Sequence, residues 1–383
     1  MRLGFGVTFL SQRVAHGKYD GIGVYTIAMW SALRNGSNTL CPLSFSGDSE
    51  LLMEDLLGAE VDQAPLSYPL HSAISALSGR AWGEMSAYEK KIDLFFAPDH
   101  HIPFLKNTPV VATVMDIIPF VHPEWASPTL RKSKNYTFKK AVESATHIIT
   151  ISQQSKRDII EYLDIDSDNI SVVPLGVDRQ FFIRRSPESK RELTQEYSID
   201  RDFFLFVGTL QPRKNIVRLI QAHRVLPESI KRETMLILVG QDGWGSDELK
   251  SEIDEMIKSG DGIWLSYLPQ DEVLTLMQSA KAIVYPSLYE GFGLPIIEGF
   301  ASKTPVITSN TTSMPEVAGD AALLVDPLST RSIADAMQLL VEDDNLCREL
   351  ISRGVERVKQ FTWEISAQKH LEVFESIAFK NRI

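Results

Sequence analysis

The sequence predicts an α/β protein of two domains, each a parallel sheet with helical crossovers. Short apolar runs alternate with longer amphipathic stretches from one end of the chain to the other, the pattern of repeated strand and helix units. At 383 residues the chain is too long for one ordinary core and suits two domains of typical size. A polar, charged stretch at 181–200, carrying Pro187, lies between the two halves and reads as a linker.

In chain order, the apolar runs place strands of the first half at 3–9, 93–97, 110–114, 147–151 and 171–173. Those of the second half fall at 203–207, 236–239, 263–265, 282–285, 305–308 and 322–325. The domains are set at 1–183 and 184–360, with a last amphipathic helix in 361–383 after Phe361-Thr-Trp363. Open sheets of this kind bind ligands outside the carboxyl ends of their strands, so a cleft between the domains is expected, with closure excluding water.

Composition narrows the function. With 44% hydrophobic and 23% charged residues the chain reads as globular, and a net charge of −11 argues against general nucleic-acid binding. Cys41 and Cys347 lie far apart without metal-ligand spacing, so neither a disulfide framework nor a zinc site is indicated. The N-terminal apolar run is too short for a signal peptide, and no stretch approaches the about eighteen apolar residues of a spanning helix. A cytoplasmic home follows as the expectation.

The chemistry concentrates in Leu288 to Pro315, LYEGFGLPIIEGFASKTPVITSNTTSMP. Glu290 and Glu298 flank a Gly-Phe-Gly turn after an apolar strand and before a helix. A helix start offers unpaired N–H groups and a partial positive charge, which suits the phosphates of a nucleotide. Gly291 and Gly293 would let the backbone approach those phosphates, and Pro295 fits the first helical position. Glu298 is expected in the first turn, accepting from a sugar diol, with Glu290 aimed at the reacting carbon. The alternative is a pair of solvated acids flanking a turn.

A second constellation, Phe204-Leu-Phe-Val-Gly-Thr-Leu-Gln-Pro-Arg-Lys-Asn215, puts Arg213 and Lys214 after a strand and Asn215 at a helix start. Breaking a sugar–diphosphate bond leaves negative charge on phosphate, which Arg can grip bidentately and Lys as a point charge. An exposed basic pair on a loop is the other reading.

These two motifs, with Val172-Val-Pro-Leu-Gly-Val-Asp178 and Gly21-Ile-Gly23-Val-Tyr25 in the same order, resemble the retaining glycosyltransferases of family 4, and the resemblance covers nearly the whole chain. It implies the GT-B architecture of two Rossmann-like domains, an N-terminal acceptor domain, a C-terminal donor domain and a final helix crossing back to the first. It also implies a nucleotide-diphosphate sugar as substrate, no cofactor and no metal. Glu290 is implied beside the transferred sugar and Glu298 on the ribose, with a same-face route in which the departing phosphate accepts the acceptor's proton. The donor-binding set is then Gly208, Thr209, Arg213, Lys214, Gly240, Tyr267, Leu268, Glu290, Gly291, Phe292, Gly293, Leu294 and Glu298. Many relatives carry arginine where Thr209 stands, which leaves the phosphate grip to Arg213 and Lys214.

In the first domain the loop at 20–25 holds Gly21 and Gly23, either approaching phosphate or acceptor or simply capping a helix. Thr113-Val-Met115-Asp116-Ile-Ile-Pro119 departs from the family pattern, in which histidine commonly stands at Met115. Asp116 remains to orient the sugar or receive the acceptor proton, and His100 and His101 could compensate from a neighbouring strand end or be ordinary loop side chains. Asp164-Ile-Asp166 and Asp166-Ser-Asp168 lie in a polar loop before a strand and read as a solvated turn rather than a manganese site. The basic run 131–140, with Arg131, Lys132, Lys134, Lys139 and Lys140, reads as a solvated helix face or a contact with an anionic membrane or lipid diphosphate.

Within the family the motifs most resemble the bacterial mannosyltransferase-like branch of O-antigen, capsule or exopolysaccharide assembly. GDP-mannose is therefore the first expected donor and a UDP-sugar the second, with a glycan or lipid-linked acceptor. A GT-B sugar phosphorylase, a nicotinamide oxidoreductase and a non-catalytic sugar-nucleotide binder are the rival classes.

Overall fold

The computed structural model describes residues 1–13, 21–34, 36, 38–46, 58–78, 85–126, 129–243 and 247–380. It forms two compact units, one of Met1–Gly176 with Trp363–Ile383 and one of Val177–Thr362. The strands of the first are β1 Arg2–Gly6, β2 Thr39–Ser44, β3 Asp62–Gln63, β4 Leu94–Ala97, β5 Val110–Thr113, β6 His147–Thr150 and β7 Ile170–Val172. They make one sheet in the order β3-β2-β1-β4-β5-β6-β7, with parallel ladders throughout. The second unit carries β8 Asp202–Val207, β9 Thr234–Val239, β10 Gly262–Leu265, β11 Ala282–Tyr285, β12 Val306–Ser309 and β13 Leu323–Val325. These too pair in parallel, in the order β10-β9-β8-β11-β12-β13.

Parallel sheets covered by helices on both faces need strands apolar on both faces. Leu94–Ala97 and Ala282–Tyr285 meet that need, buried at every position. Each sheet reverses its strand order beside its own first strand, between β1 and β4 in one unit and between β8 and β11 in the other. At such a reversal the connections leave on opposite sides and open a crevice at the carboxyl ends of the strands.

Several sequence expectations are corrected. The run at 3–9 is a strand only to Gly6, because Thr8–Arg13 turns into a helix with Ser11 N donating to the Val7 carbonyl at 3.0 Å. β2 and β3 are additional strands. Pro42 hides the first, tolerated because β3 pairs only with Leu43 and Ser44, and the second is two residues long. Residues 181–200 are no linker: the helix Pro187–Glu196 starts from a Ser186 cap on Ser189 N, buries Leu193, and belongs to the second unit. A capping serine followed by proline is a helix-start signal, and the polarity belongs to the helix's outer face. The chain passes between the units after Gly176 and again after Thr362.

The helix Trp363–Lys380 packs on the helix Gly21–Arg34. His370 lies at the centre of that contact, its Nδ1 on the Ser366 carbonyl at 2.7 Å and its Nε2 on Tyr25 Oη at 2.8 Å, with Tyr25 in turn on Thr113 Oγ1 at 2.8 Å. Burial pushes the His370 pKa down to about 4, so the ring is neutral and can accept from the phenol. Phe374 closes the same contact on Phe96, ring centroids 5.0 Å apart. Among the described residues no helix is long and apolar enough to cross a membrane.

Candidate functional site

The second sheet's crevice collects the predicted donor residues. β8 ends at Val207 and leads through Gly208 and Thr209 to the short turn Pro212–Lys214, after which Asn215 begins the helix Ile216–Arg224. Asn215 adopts a left-handed conformation, φ 62°, and its side-chain amide donates to the carbonyls of Pro286 at 3.0 Å and Pro327 at 2.7 Å. It thereby ties the loop after β8 to those after β11 and β13. Leu288 N donates to the Arg213 carbonyl at 2.7 Å, a second tie between the basic turn and the acidic loop.

These ties bring Arg213, Lys214 and Glu290 together. Arg213 Nη1 lies 2.7 Å from Glu290 Oε2, and Lys214 Nζ lies 2.5 Å from Glu290 Oε1. Tyr285, the last residue of β11, donates its hydroxyl to Glu290 Oε1 at 2.8 Å and accepts from Lys214 Nζ. Lys214 Nζ also stands 4.7 Å from the centroid of the Tyr285 ring. Burial alone would raise the Glu290 pKa, but Lys214 and then Arg213 reverse the effect and bring it down to about 2. Two cations against one carboxylate leave a positive charge in a buried place, which suits an incoming anion.

The acidic loop is itself held from below. Glu290 N donates to Thr312 Oγ1 at 3.3 Å, and Ser313 Oγ donates to the carbonyls of Glu290 at 2.8 Å and Phe292 at 3.0 Å. Gly293, at φ 101°, is the cap of the helix Leu294–Ala301. Pro295 is therefore its second residue, not its first, and Glu298 falls in the second turn rather than the first. Glu298 does not join the buried ion pairs by any hydrogen bond among the described residues. Burial first, and Asp178 second, push its pKa up to about 7 against the pull of Lys214.

The other residues predicted for the donor lie on neighbouring strand ends. Gly240 follows β9 at φ 152°, and a Cβ there would stand 2.0 Å from the Gly208 carbonyl oxygen, so only glycine fits. The Gly240 carbonyl accepts from Trp264 Nε1 at 2.9 Å. After β10, Leu268 is buried and Tyr267 is 52% exposed. Gly291 and Phe292 are buried and Leu294 half-buried in the acidic loop.

In the first unit the predicted loop at 20–25 is corrected to the first turns of the helix Gly21–Arg34, while Asp20 lies outside the described residues. Gly21 and Gly23 thus stand in the first turn of a helix, not in a loop. Met115 and Asp116 follow β5, with Ser155 Oγ on the Met115 carbonyl at 2.8 Å and Ile118 N on Asp116 Oδ1 at 3.3 Å. After β4, Asp99, His100 and His101 place potential metal-ligating atoms within 4.8 Å of one another. The Asp99 carboxylate is already occupied, by Phe9 N at 3.3 Å, His101 N at 2.6 Å and His101 Nδ1 at 2.8 Å. Burial would lift its pKa, and His101 beside it holds it below the usual carboxylate range. Asp166 caps Asp168 N at 2.9 Å, and Asp164 ends a helix in a left-handed conformation, so these acids serve turns.

Sequence reasoning missed Tyr285, Thr312, Ser313 and Asp99. Tyr285 had a signal, a polar tip closing an otherwise aliphatic strand at its ligand-binding end. Asp99 sits directly before the two histidines that were singled out.

Known proteins agree with this layout. Residues 19–181 match the family model described as Glycosyltransferase Family 4, and residues 189–357 match that of Glycosyl transferases group 1. The O-antigen chain mannosyltransferase B of Escherichia coli is 34% identical over 272 residues, 71% of this chain and 71% of that protein. The serotype-specific mannosyltransferase WbdA of Escherichia coli is 29% identical over 276 residues, 69% of this chain but only 33% of its own greater length. Among solved structures, Anabaena Alr3699/HepE in complex with UDP-glucose superposes with a TM-score of 0.75 at 19% identity, over 98% of this chain and 100% of that one.

Proposed function

The chain belongs to glycosyltransferase family 4 and is a glycosyltransferase of the GT-B fold, and on that premise we propose that it moves mannose from GDP-mannose, with retention, onto a glycan or lipid-linked acceptor of a bacterial surface polysaccharide. The observation that carries the donor site is the cluster of buried Lys214 and Glu290 with half-buried Arg213, positive on balance, at the strand-order reversal. The mannose reading draws its support from the two Escherichia coli relatives described above, which are named as mannosyltransferases.

In this reading Arg213 and Lys214 take the diphosphate and stabilise the charge that grows as the anomeric C–O bond breaks. Glu290, released from those cations, faces the sugar. The acceptor oxygen forms the new bond on the same face, and its proton passes to the departing phosphate. Glu298 binds the ribose, and main-chain groups near Gly240 and Leu268 face the base. The two cations and the helix start at Asn215 supply the positive charge that a metal supplies elsewhere, so turnover is metal-independent. The protein works in the cytoplasm, and the exposed Lys132, Lys134 and Tyr136 of the helix Arg131–Ser144 meet an anionic membrane surface.

A thermal-shift panel tests this directly, because a ligand that binds the native state raises its melting temperature. GDP and GDP-mannose are expected to stabilise the protein equally with and without chelator. A shift with UDP and UDP-glucose alone replaces the donor, and a shift that requires magnesium or manganese refutes the metal-free reading.

A further inference from the structure

We propose that Tyr285 is a positioning residue for the transfer, its hydroxyl holding the Glu290 carboxylate in place once the donor's diphosphate has drawn Arg213 and Lys214 away. The inference rests on the donor site proposed above and adds a residue to it.

Among the described residues the Glu290 carboxylate meets three side chains: Arg213, Lys214 and Tyr285. Two of the three are the cations that an arriving diphosphate would claim, since it carries more charge than one carboxylate. Without them Glu290 would be a buried anion facing the full cost of desolvation. The remaining partner is neutral, does not compete for phosphate, and donates to Oε1 at 2.8 Å. A phenol has one proton and two lone pairs, so donating to Glu290 and accepting from Lys214 are compatible. When Lys214 turns to phosphate, the bond to Glu290 stays.

Tyr285 is built to be fixed. Its side chain is 1% exposed, and its ring stacks on Phe206 with centroids 5.9 Å apart and planes 17° apart. Its carbonyl accepts from Thr308 Oγ1 at 3.0 Å, next to the β11–β12 ladder that pairs the same two residues. Burial, and then the Glu290 charge, push the phenol's pKa well above its ordinary value, so it remains a donor throughout the working pH range.

The test is a double-mutant cycle of Tyr285→Phe and Glu290→Ala, measuring kcat and KM for GDP release from GDP-mannose and the Kd for GDP by calorimetry. Tyr285→Phe keeps the ring and is expected to lower kcat by on the order of tenfold or more while GDP binds as tightly as before or tighter. In the Glu290→Ala background the added Phe is expected to change kcat by less than about twofold, because the group it acted through is gone. An unchanged kcat in the single variant, an equal fall in both backgrounds, or a loss of GDP affinity alongside turnover would each overturn the proposal. Failure of the donor reading shows separately, as an unsubstituted enzyme that consumes UDP-glucose and not GDP-mannose, and the cycle is then read with UDP-glucose and UDP.

Discussion

Both sheets open a crevice where their strand order reverses, yet the two crevices are furnished differently. The one at β8 and β11 holds fixed charge: Lys214 and Glu290 are buried and Arg213 half-buried, both cations pair with the one carboxylate, and Asn215 ties their loop to the loops after β11 and β13. Among the described residues, the one at β1 and β4 holds one buried carboxylate, Asp99, which orients an imidazole and carries no lysine or arginine in its hydrogen bonds. A diphosphate is the same in every nucleotide sugar, and a fixed cationic cradle suits it. Acceptor hydroxyls are neutral and varied, and an oriented histidine suits those. Under the proposed function the contrast teaches that charge and polarity are sorted between the two sheets, fixed charge for the donor and neutral polarity for the acceptor.

The largest effect should come from removing one cation. Lys214→Ala is expected to lower turnover by on the order of 10²–10³, the scale of losing one preorganised stabilising group, as read from steady-state rates with saturating donor. Near-normal rates would break the contrast, since the second crevice would then not depend on its charge. Next comes the division of labour between the two acids. Glu290→Ala should chiefly lower kcat and Glu298→Ala chiefly raise the donor KM, and equal effects of both variants on both constants would contradict it. Asp99→Asn, in the other crevice, should cost about 2 kcal/mol in chemical denaturation by weakening hydrogen bonds to a charged acceptor. GDP affinity should not move, and a weakened GDP affinity would blur the distinction between the units.

The smallest effects lie in pH dependence. Glu290 is held at about 2, below its ordinary 4.5, so its stabilising contribution is complete above 4.5 and is lost as the pH falls towards 2. Glu298 is raised to about 7, above its ordinary 4.5, so its contribution is complete below 4.5 and is lost as the pH rises through 7. Melting temperature should therefore decline from pH 5 to pH 8, and Glu298→Gln should flatten the decline. A slope unchanged by that substitution would assign the neutral limb elsewhere.

Most of the core strands, and the members of the second crevice though not their pairing, were legible in the sequence because buried parallel strands are continuous apolar runs and because glycines, acids and cations recur at strand ends. What escaped has physical reasons. Pro42 disguised β2, and β3 is too short to show a period. The helix Pro187–Glu196 looked like a linker because most of its surface faces water. Pro295 suggested a helix beginning one residue later than it does, since Gly293 rather than Leu294 takes the capping conformation. The pairing of Arg213 and Lys214 with Glu290 depends on residues far apart in sequence, which no local pattern encodes.

The discontinuity of the first unit bears on how the protein is made. Val177–Thr362 is contiguous, so all its internal contacts are available once it has left the ribosome, whereas Met1–Gly176 gains the rest of its unit only with Trp363 and the residues after it. Until His370 and Phe374 arrive, the Tyr25 hydroxyl lacks that acceptor and the Phe96 ring lacks that cover. Met1–Gly176, made before Val177–Thr362, is thus completed after it, and in the interval it is the part of the two that more needs shielding from aggregation.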